Sequence, residues 1–412
     1  MLVKKLNLTL LALAPCLCAG SVLADPISDD RLQPGLYPAA PTSFVPTEEG
    51  APPFEIDWSL GLRGTQISSS DGNSFSAHLR PELDLRSLGN VVDTHINAHV
   101  ELARGSDPQI TPTTAAISVT AGSQLNENTR VQGQAGLKFD RELLGTPGFD
   151  PQIIRPADIT TGHIEAGMAH RFGQFNLRLN GQIERVAYGP TERRDTGTTD
   201  NSDQNRWSAE GTLRLGYQIT PIVEVYGEGQ LGRHWFDQAG KSSGQFADAY
   251  TRNVKMGVSG NWQERITAHA AVGMGQYIFT SATQPEVTAR LYEAGVTWKP
   301  DPTLSVTGLL ARNIEPTGAD SAGAVRVIDS AKLSASYQVN SALALRTSSE
   351  LAHSRVENSG ETEDRRSAGL GADYGLNTRT KLSADYNYAH RTNSATGTFY
   401  SHQLSVGVTL KR

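Results

Sequence analysis

The chain has 412 residues, of which 37 are basic and 43 acidic, so its formal net charge is −6. This mild acidity provides no basic surface for nucleic acid, and we expect no nucleic-acid partner. Charged residues make up only 19% of the chain, whereas glycine is frequent at 40 residues. Both cysteines, Cys16 and Cys18, lie close to the amino terminus, which leaves the rest of the chain without a disulfide or a thiolate metal site.

The first 24 residues are organised like a secretion signal. Lys4 and Lys5 precede an uncharged apolar run from Leu6 to Ala14, which is too short to span a bilayer as a helix. The segment Val22-Leu-Ala24 presents the residues that a signal peptidase reads. We therefore predict a signal peptide over residues 1–24, cleaved after Ala24, and export from the cytoplasm.

Residues 25–53 are rich in proline, alanine and acidic residues and show no periodicity, as in Gln33-Pro-Gly-Leu-Tyr-Pro38 and Thr47-Glu-Glu-Gly-Ala-Pro-Pro53. Such a composition is typical of an extended linker. We predict a proline-rich periplasmic tail here. A plug or a partner-binding segment is the alternative.

From Phe54 to Arg412, apolar and polar residues alternate with period two in segment after segment. This period is typical of β-strands that have one apolar and one polar face. In one such segment the apolar residues are Phe175, Leu177 and Leu179, and the polar ones are Asn176, Arg178 and Asn180.

The connections between these segments alternate in length. Short ones lie near residues 88, 127, 173, 220, 264, 301, 340 and 377, and longer polar ones lie between them, the longest at 143–161 and 189–205. Outer-membrane barrels have short periplasmic turns and longer extracellular loops. We predict an all-β fold over residues 54–412: a transmembrane antiparallel up-and-down β-barrel of about 18 strands, with 16 as the alternative.

An aromatic residue closes the strand before most short turns, always on the apolar face. Aromatic residues at such a position form a belt at the membrane interface. The predicted periplasmic girdle consists of Phe172, Tyr217, Trp262, Trp298, Tyr337 and Tyr374.

A secreted soluble β-sandwich or β-solenoid would also show alternating strands. A sandwich core, however, needs bulky aromatic residues in the middle of its strands. Here the strand middles are mostly Ala, Gly, Leu and Val, and the aromatic residues favour the ends. The pattern therefore favours the barrel.

The second and third predicted strands carry the densest group of polar residues. A hairpin folded at Leu88-Gly89 places them opposite one another on the polar face. Either a metal or substrate site, or mutually paired charges on a wet wall, would account for them. His95 and His99 start roughly 13 Å apart along the strand, which favours the wall. The group is His78, Arg80, Glu82, Asp84, His95, Asn97, His99 and Glu101.

Other predicted strands also place charges of both signs on the polar face. So many charges cannot fill a dry core, because each would need a desolvated partner. We predict that they line a hydrated lumen, with a barrel closed by its own side chains or loops as the alternative. They are Arg178, Glu184, Glu210, Arg214, Glu224, Glu228, Lys255, Lys332, Arg346, Glu350, Lys381 and Asp385.

Two enzyme-like motifs occur in unsuitable contexts. Gly240-Lys-Ser-Ser-Gly244 matches a nucleophile elbow but lies within a long polar connection, where no strand and helix flank it. Gly227-Glu-Gly-Gln-Leu-Gly232 matches a dinucleotide-binding pattern but lies within an alternating strand, with no following helix to hold a pyrophosphate. We therefore predict no enzymatic activity, no cofactor and no metal.

A repeated unit joins an aromatic residue, a short turn and an alternating strand. In this unit the chain resembles the family called putative β-barrel porin 2, outer-membrane proteins of which some accompany exopolysaccharide export. The units begin Tyr217-Gln-Ile-Thr-Pro221, Trp298-Lys-Pro-Asp-Pro302, Tyr337-Gln-Val-Asn340 and Tyr374-Gly-Leu-Asn377.

This resemblance implies a location in the outer membrane of a Gram-negative bacterium, with membrane lipid and the barrel-assembly machinery as partners. The expected function is a porin-like channel for small polar solutes, or transport associated with a polysaccharide. A non-conducting structural or adhesion barrel that acts through its extracellular loops is the alternative.

Overall fold

The computed structural model describes residues 54–412, except for residues 71, 90, 106–109, 142–152, 196, 241–243, 283, 317–324, 358 and 395–396. The predicted signal peptide and proline-rich tail lie outside the described residues. The described residues contain no helix that is long and apolar enough to cross a membrane.

Eighteen antiparallel strands form one sheet within the described part of the chain. They are β1 (Glu55–Ser69), β2 (Gly72–Leu88), β3 (Asp93–Arg104), β4 (Thr111–Asn126), β5 (Thr129–Arg141), β6 (Asp158–Phe172), β7 (Phe175–Tyr188), β8 (Arg206–Gln218), β9 (Val223–Phe236), β10 (Ala249–Trp262), β11 (Ile266–Phe279), β12 (Val287–Asp301), β13 (Leu304–Pro316), β14 (Val325–Gln338), β15 (Leu343–Val356), β16 (Thr362–Asn377), β17 (Thr380–Asn393) and β18 (Gly397–Lys411).

The sheet closes on itself. Each strand pairs with the next along the chain, and β18 pairs with β1 from Ser401 opposite Ser69 to Lys411 opposite Ser59. Closure removes the free strand edges that would otherwise pair with other chains. The prediction of an up-and-down barrel with 18 strands is confirmed.

The two faces of the barrel differ in chemistry because the side chains alternate. Apolar side chains in the strand middles are exposed on the outer face, with Met256 71% and Val272 67% accessible. An apolar band of this kind is stable only against lipid. Polar and charged side chains occupy the other face.

The short turns carry the residues that turn geometry requires. In the turn between β14 and β15, the Asn340 side-chain oxygen accepts hydrogen bonds from the Ala342 and Leu343 backbone N–H groups at 2.8 and 2.9 Å. Some boundaries differ from the prediction. Strand β12 continues through Asp301, because the register shifts after Trp298. Strand β6 already begins at Asp158, within the predicted loop.

The two longest connections join in a small extracellular sheet of three short strands, Ile153–Arg155, Thr191–Arg193 and Gly197–Thr199. Asn201, only 4% exposed, ties this sheet to the end of β7. Its side-chain amide donates to the Gly189 carbonyl oxygen and to Thr191 Oγ1, both at 2.9 Å. These loops are therefore held to one another by their own hydrogen bonds.

The Asn201→Ala substitution should loosen the extracellular sheet without unfolding the barrel. It removes both hydrogen bonds, including the one to the buried Thr191 hydroxyl, at a local cost of about 1–3 kcal/mol. We expect faster tryptic cleavage after Arg193, with unchanged heat-modifiable mobility on a gel. The exposed Thr198→Ala, in the same small sheet, serves as the control. Equal cleavage rates for both variants would show that Asn201 does not hold the sheet.

Candidate functional site

The polar face of the sheet is the concave one and forms the wall of the lumen. Lys255 on β10 reaches across β11, and its Nζ lies 3.0 Å from Glu293 Oε2 on β12. Arg214 on β8 likewise reaches across β9 and donates to Ser259 Oγ on β10 at 3.2 Å. Side chains that bridge an intervening strand converge on the inside of a barrel and diverge on its outside.

The predicted polar group on β2 and β3 consists of pairs across the hairpin. His78 Nδ1 lies 2.7 Å from Glu101 Oε1, and His95 Nε2 lies 2.6 Å from Asp84 Oδ2. Asn97 donates to Glu82 Oε1 at 3.0 Å. Among the described residues, no three His, Cys, Asp or Glu side chains are arranged to hold a metal ion. The arrangement therefore favours a wall of paired polar groups over a metal site.

A second group of paired charges lies on β8–β12. Arg214 donates to Glu224 Oε1 at 2.8 Å, and its guanidinium lies 3.5 Å from the centre of the Tyr226 ring. Lys255 lies 3.6 Å from Glu228 as well as 3.0 Å from Glu293. These contacts pair two basic side chains with three carboxylates along one side of the lumen.

Sequence reasoning missed two members of this group, Glu293 and His269. His269 Nε2 lies 3.2 Å from Glu293 Oε1, so Glu293 has basic side chains on both sides. The sequence shows that both residues lie on the inner face of their strands. It does not show that Lys255, two strands away, reaches Glu293.

A third group lies on β14–β17. Lys332 lies 3.4 Å from Glu350, and Arg346 donates to both Asp373 and Asp385 at 2.9 Å. Lys381 lies 3.0 Å from Asp373. Asp373 is a further residue that sequence reasoning missed, and it joins two of the predicted basic residues.

Five predicted residues belong to the inner face without joining these groups. Glu210 accepts a hydrogen bond from Gln230 at 2.8 Å. In the strand register Arg178 lies opposite Arg214, and His99 lies opposite Glu82. The remaining two are Arg80, which lies opposite Gly61, and Glu184, which lies opposite Ser208.

Glycines on the inner face make room for these long side chains. The Tyr226 ring lies over Gly257, where a β-carbon would be 2.5 Å from Tyr226 Cζ. The His269 ring covers Gly295 in the same way, at 2.2 Å from such a β-carbon. Polar side chains can thus lie along the wall and meet partners on neighbouring strands.

An apolar cluster fills part of the lumen toward the extracellular mouth. Tyr277 has no accessible surface, and the His234 ring stacks on it with centroids 5.6 Å apart. Ile314 Cδ1 on β13 would lie 3.1 Å from a β-carbon at Gly275 on β11, so the end of β13 bends inward across β12. The members of the cluster are Ala249, Tyr277, Phe279, Val287, Val325 and Val327, with Ala289 and Ile314 packed against them.

The predicted aromatic residues lie on the outer face at the periplasmic ends of their strands. Each is between 40% and 47% exposed. Phe172 stacks on Phe175 at 5.5 Å, and Phe175 contacts Tyr217 at 5.1 Å, so the belt continues across three strands. Their place at a membrane interface remains a prediction. The six are Phe172, Tyr217, Trp262, Trp298, Tyr337 and Tyr374.

A closed barrel with an apolar outer face and a charged, internally paired lumen defines a porin-like barrel of the outer membrane. The family described as "Putative beta-barrel porin 2" matches residues 56–412, and the chain belongs to that family. The family suggested by the repeated units is thus confirmed.

Solved structures of outer-membrane proteins are similar to this chain at low identity. Pseudomonas aeruginosa OccK2 (OpdF) is 12% identical with a TM-score of 0.45, and the match covers 87% of this chain and 98% of that one. Pseudomonas aeruginosa OpdK with vanillate is 10% identical with a TM-score of 0.44, covering 87% and 99%. A loop-deletion mutant of Vibrio cholerae OmpT is 12% identical with a TM-score of 0.35, covering 88% and 100%. Among the curated proteins none matches.

Proposed function

We propose that the protein is an outer-membrane channel through which small polar solutes pass. The observation that carries this proposal is the wall of paired charges on β2–β3, β8–β12 and β14–β17. Charged side chains at this density need water. A continuous column of water along them provides a path for solutes that carry their own polar groups.

The pairing of the wall charges suggests which solutes fit. Donors and acceptors lie side by side, as in the Arg346 contacts with Asp373 and Asp385. Such a wall can replace the water around a hydroxyl-rich or zwitterionic solute without strongly selecting one sign of charge. Sugars match this chemistry, and transport associated with a polysaccharide therefore belongs to the same proposal.

The apolar cluster around Tyr277 narrows the lumen on one side and supports a limit on solute size. A bent strand end is a less mobile constriction than a solvated loop, because it keeps its pairing with the neighbouring strand. Ile314 and Val327 still pair in the register of β13 and β14. We therefore propose that this cluster restricts passage to small solutes or short oligosaccharides.

Reaching the outer membrane requires export and insertion. We propose that residues 1–24 direct export and are removed after Ala24, and that the barrel-assembly machinery inserts the mature chain. The alternating strands and the periplasmic aromatic residues are the features that support this route.

Single-channel recording tests the proposed channel. The folded protein, purified in detergent and added to a planar lipid bilayer, should produce discrete conductance steps. Heat-denatured protein at the same concentration is the control and should produce none. Liposome swelling with sugars of increasing size would then locate the size limit. A folded barrel that gives neither conductance nor swelling would contradict the channel.

The absence of conductance would favour the alternative of a non-conducting barrel that acts through its loops. The ordered extracellular sheet held by Asn201 is the observation that favours this alternative. Asn201→Ala should then weaken attachment of the protein to its partner surface. If the protein is instead a channel, Asn201→Ala should keep the wild-type conductance, because conduction does not depend on the extracellular sheet.

A further inference from the structure

The outer face of β7–β14 carries arginines above the apolar band. Toward the periplasm, the same face of β9–β11 presents Leu231, Val254 and Met274, each more than half exposed. Two or more residues nearer the extracellular ends, the exposed side chains on this face are Arg233 on β9 and Arg252 on β10. Arg290 on β12 is also exposed and lies opposite Met274. The arginines thus lie at the extracellular border of the lipid-facing band.

Aromatic rings lie beneath several arginines at this border. The Arg233 guanidinium lies 4.9 Å from the centre of the Trp235 ring and 5.0 Å from that of Tyr250. Arg185 lies in the same way 5.4 Å from Trp207. Tryptophan and tyrosine favour the depth at which lipid headgroups begin. The rings therefore place these guanidiniums at headgroup depth.

Two arginines at this border already have carboxylate partners. Arg185 donates to both oxygens of Asp237 at 2.8 and 2.5 Å, and this contact holds the pKa of the Asp237 carboxyl below its usual range. Arg312 donates to both oxygens of Asp329 at 2.5 and 2.7 Å.

Arg233, Arg252 and Arg290 form no ion pair with a described residue. We name these three the arginine triad. A guanidinium at headgroup depth pairs favourably with an anion that lies at the same depth. The triad is therefore the part of this border at which an anion from outside the described chain can bind.

The strand register keeps the triad together. Arg233 lies opposite Tyr250, two residues from Arg252 on the same face, which gives a diagonal separation of roughly 7–8 Å. Arg252 lies opposite Gln276 and Gln276 opposite Thr288, two residues from Arg290, so these two arginines lie roughly 12 Å apart. Arg233 and Arg290 lie three strands and four residues apart, roughly 20 Å, with Arg252 between them. Neighbouring members of the triad can therefore reach one headgroup that carries more than one phosphate.

We propose that the arginine triad binds the phosphate groups of a phosphorylated glycolipid of the lipid A type in the outer leaflet. Guanidinium groups pair with phosphate through two parallel hydrogen bonds, which matches the planar geometry of arginine better than that of lysine. The apolar band below the triad, including Met256 and Val272, receives the acyl chains. This interaction depends on the outer-membrane location and is independent of whether the lumen conducts.

The test compares lipid binding by two variants that change the net charge equally. The triad variant is Arg233→Gln, Arg252→Gln and Arg290→Gln. The control is Arg265→Gln, Lys299→Gln and Arg379→Gln, three exposed side chains at periplasmic turns or strand ends. Both proteins are purified folded in detergent, shown to keep heat-modifiable mobility, and titrated with bisphosphorylated lipid A in native mass spectrometry. We expect the triad variant to bind at least tenfold more weakly than wild type and the control to bind like wild type.

Two further titrations identify the group that is bound. Dephosphorylated lipid A should bind to wild type as weakly as phosphorylated lipid A binds to the triad variant. Millimolar inorganic phosphate should not displace the lipid, because the apolar band contributes to binding. Equal binding by the two variants, or by the two lipids, would overturn the proposal. Complete displacement by free phosphate would overturn the assignment to a lipid.

Discussion

Replacing Lys255 by methionine should make the proposed channel more selective for cations. The Lys255 ammonium lies beside both Glu228 and Glu293, at 3.6 and 3.0 Å. Its side chain is only 13% exposed and each carboxylate 18%, so bulk water cannot replace it fully. Methionine keeps the length and apolar body of the lysine side chain but leaves the wall with one additional uncompensated negative charge.

The size of the effect follows from electrostatics. A unit charge about 6 Å from a permeating ion contributes about 0.7 kcal/mol in water, which changes the local ion concentration roughly threefold. Cations gain by this factor and anions lose by it. The reversal potential across a bilayer with a potassium chloride gradient should therefore shift toward the cation value. The shift should shrink in concentrated salt, because the Debye length falls.

Two controls separate wall charge from other effects. Lys255→Arg keeps the cation and should leave the selectivity near that of wild type. Lys299→Met changes the net charge equally, but at an exposed position beside a periplasmic turn, and should have little effect. The double variant Lys255→Met with Glu293→Gln should restore most of the wild-type reversal potential. A reversal potential that is unchanged in Lys255→Met at every salt concentration would show that ions do not pass this part of the wall.

The barrel itself was predictable from the sequence because lipid and water impose opposite demands on alternate residues. The run around Phe175 shows this period clearly, and its apolar members face outward in the structure. The alternating lengths of the connections then distinguish the two rims. Closure between β1 and β18 follows once every strand has two neighbours.

The partners within the lumen were less predictable, because alternation assigns a residue to a face but not to a contact. Predicting the contact from Lys255 to Glu293 requires the register of three strands. It also requires knowing that no side chain of the middle strand lies between the two groups. His95 and His99 show the converse: spacing along one strand kept them apart, as expected. The inward bend that places Ile314 against β11 has no periodic signal, because period two is the same in a straight and a bent strand.

Replacing Gly273 by alanine should destabilise the barrel more than any of the changes above. Gly273 lies on the inner face of β11, opposite Lys255. A β-carbon there would be 2.0 Å from the Val254 carbonyl oxygen and 2.8 Å from the Lys255 Cα, whereas real β-carbons hardly approach such atoms within 3.0 Å. Backbone atoms cannot rotate away as a side chain can. Strands β10 and β11 must therefore separate. Lys255 then loses its contact with Glu293.

Gly229 provides the matched control, because it lies on the outer face of β9 and a β-carbon there would meet nothing within 4 Å. Gly229→Ala should be neutral or stabilise by about 0.5 kcal/mol, since glycine loses more chain entropy in a strand than alanine. Gly273→Ala should cost about 3 kcal/mol, the upper part of the range for overpacking. Both variants are refolded into detergent, and the midpoint temperature of unfolding is measured from their heat-modifiable mobility. A lower midpoint temperature for Gly273→Ala alone is the expected result, and equal midpoints would mean that β10 and β11 are not packed this closely.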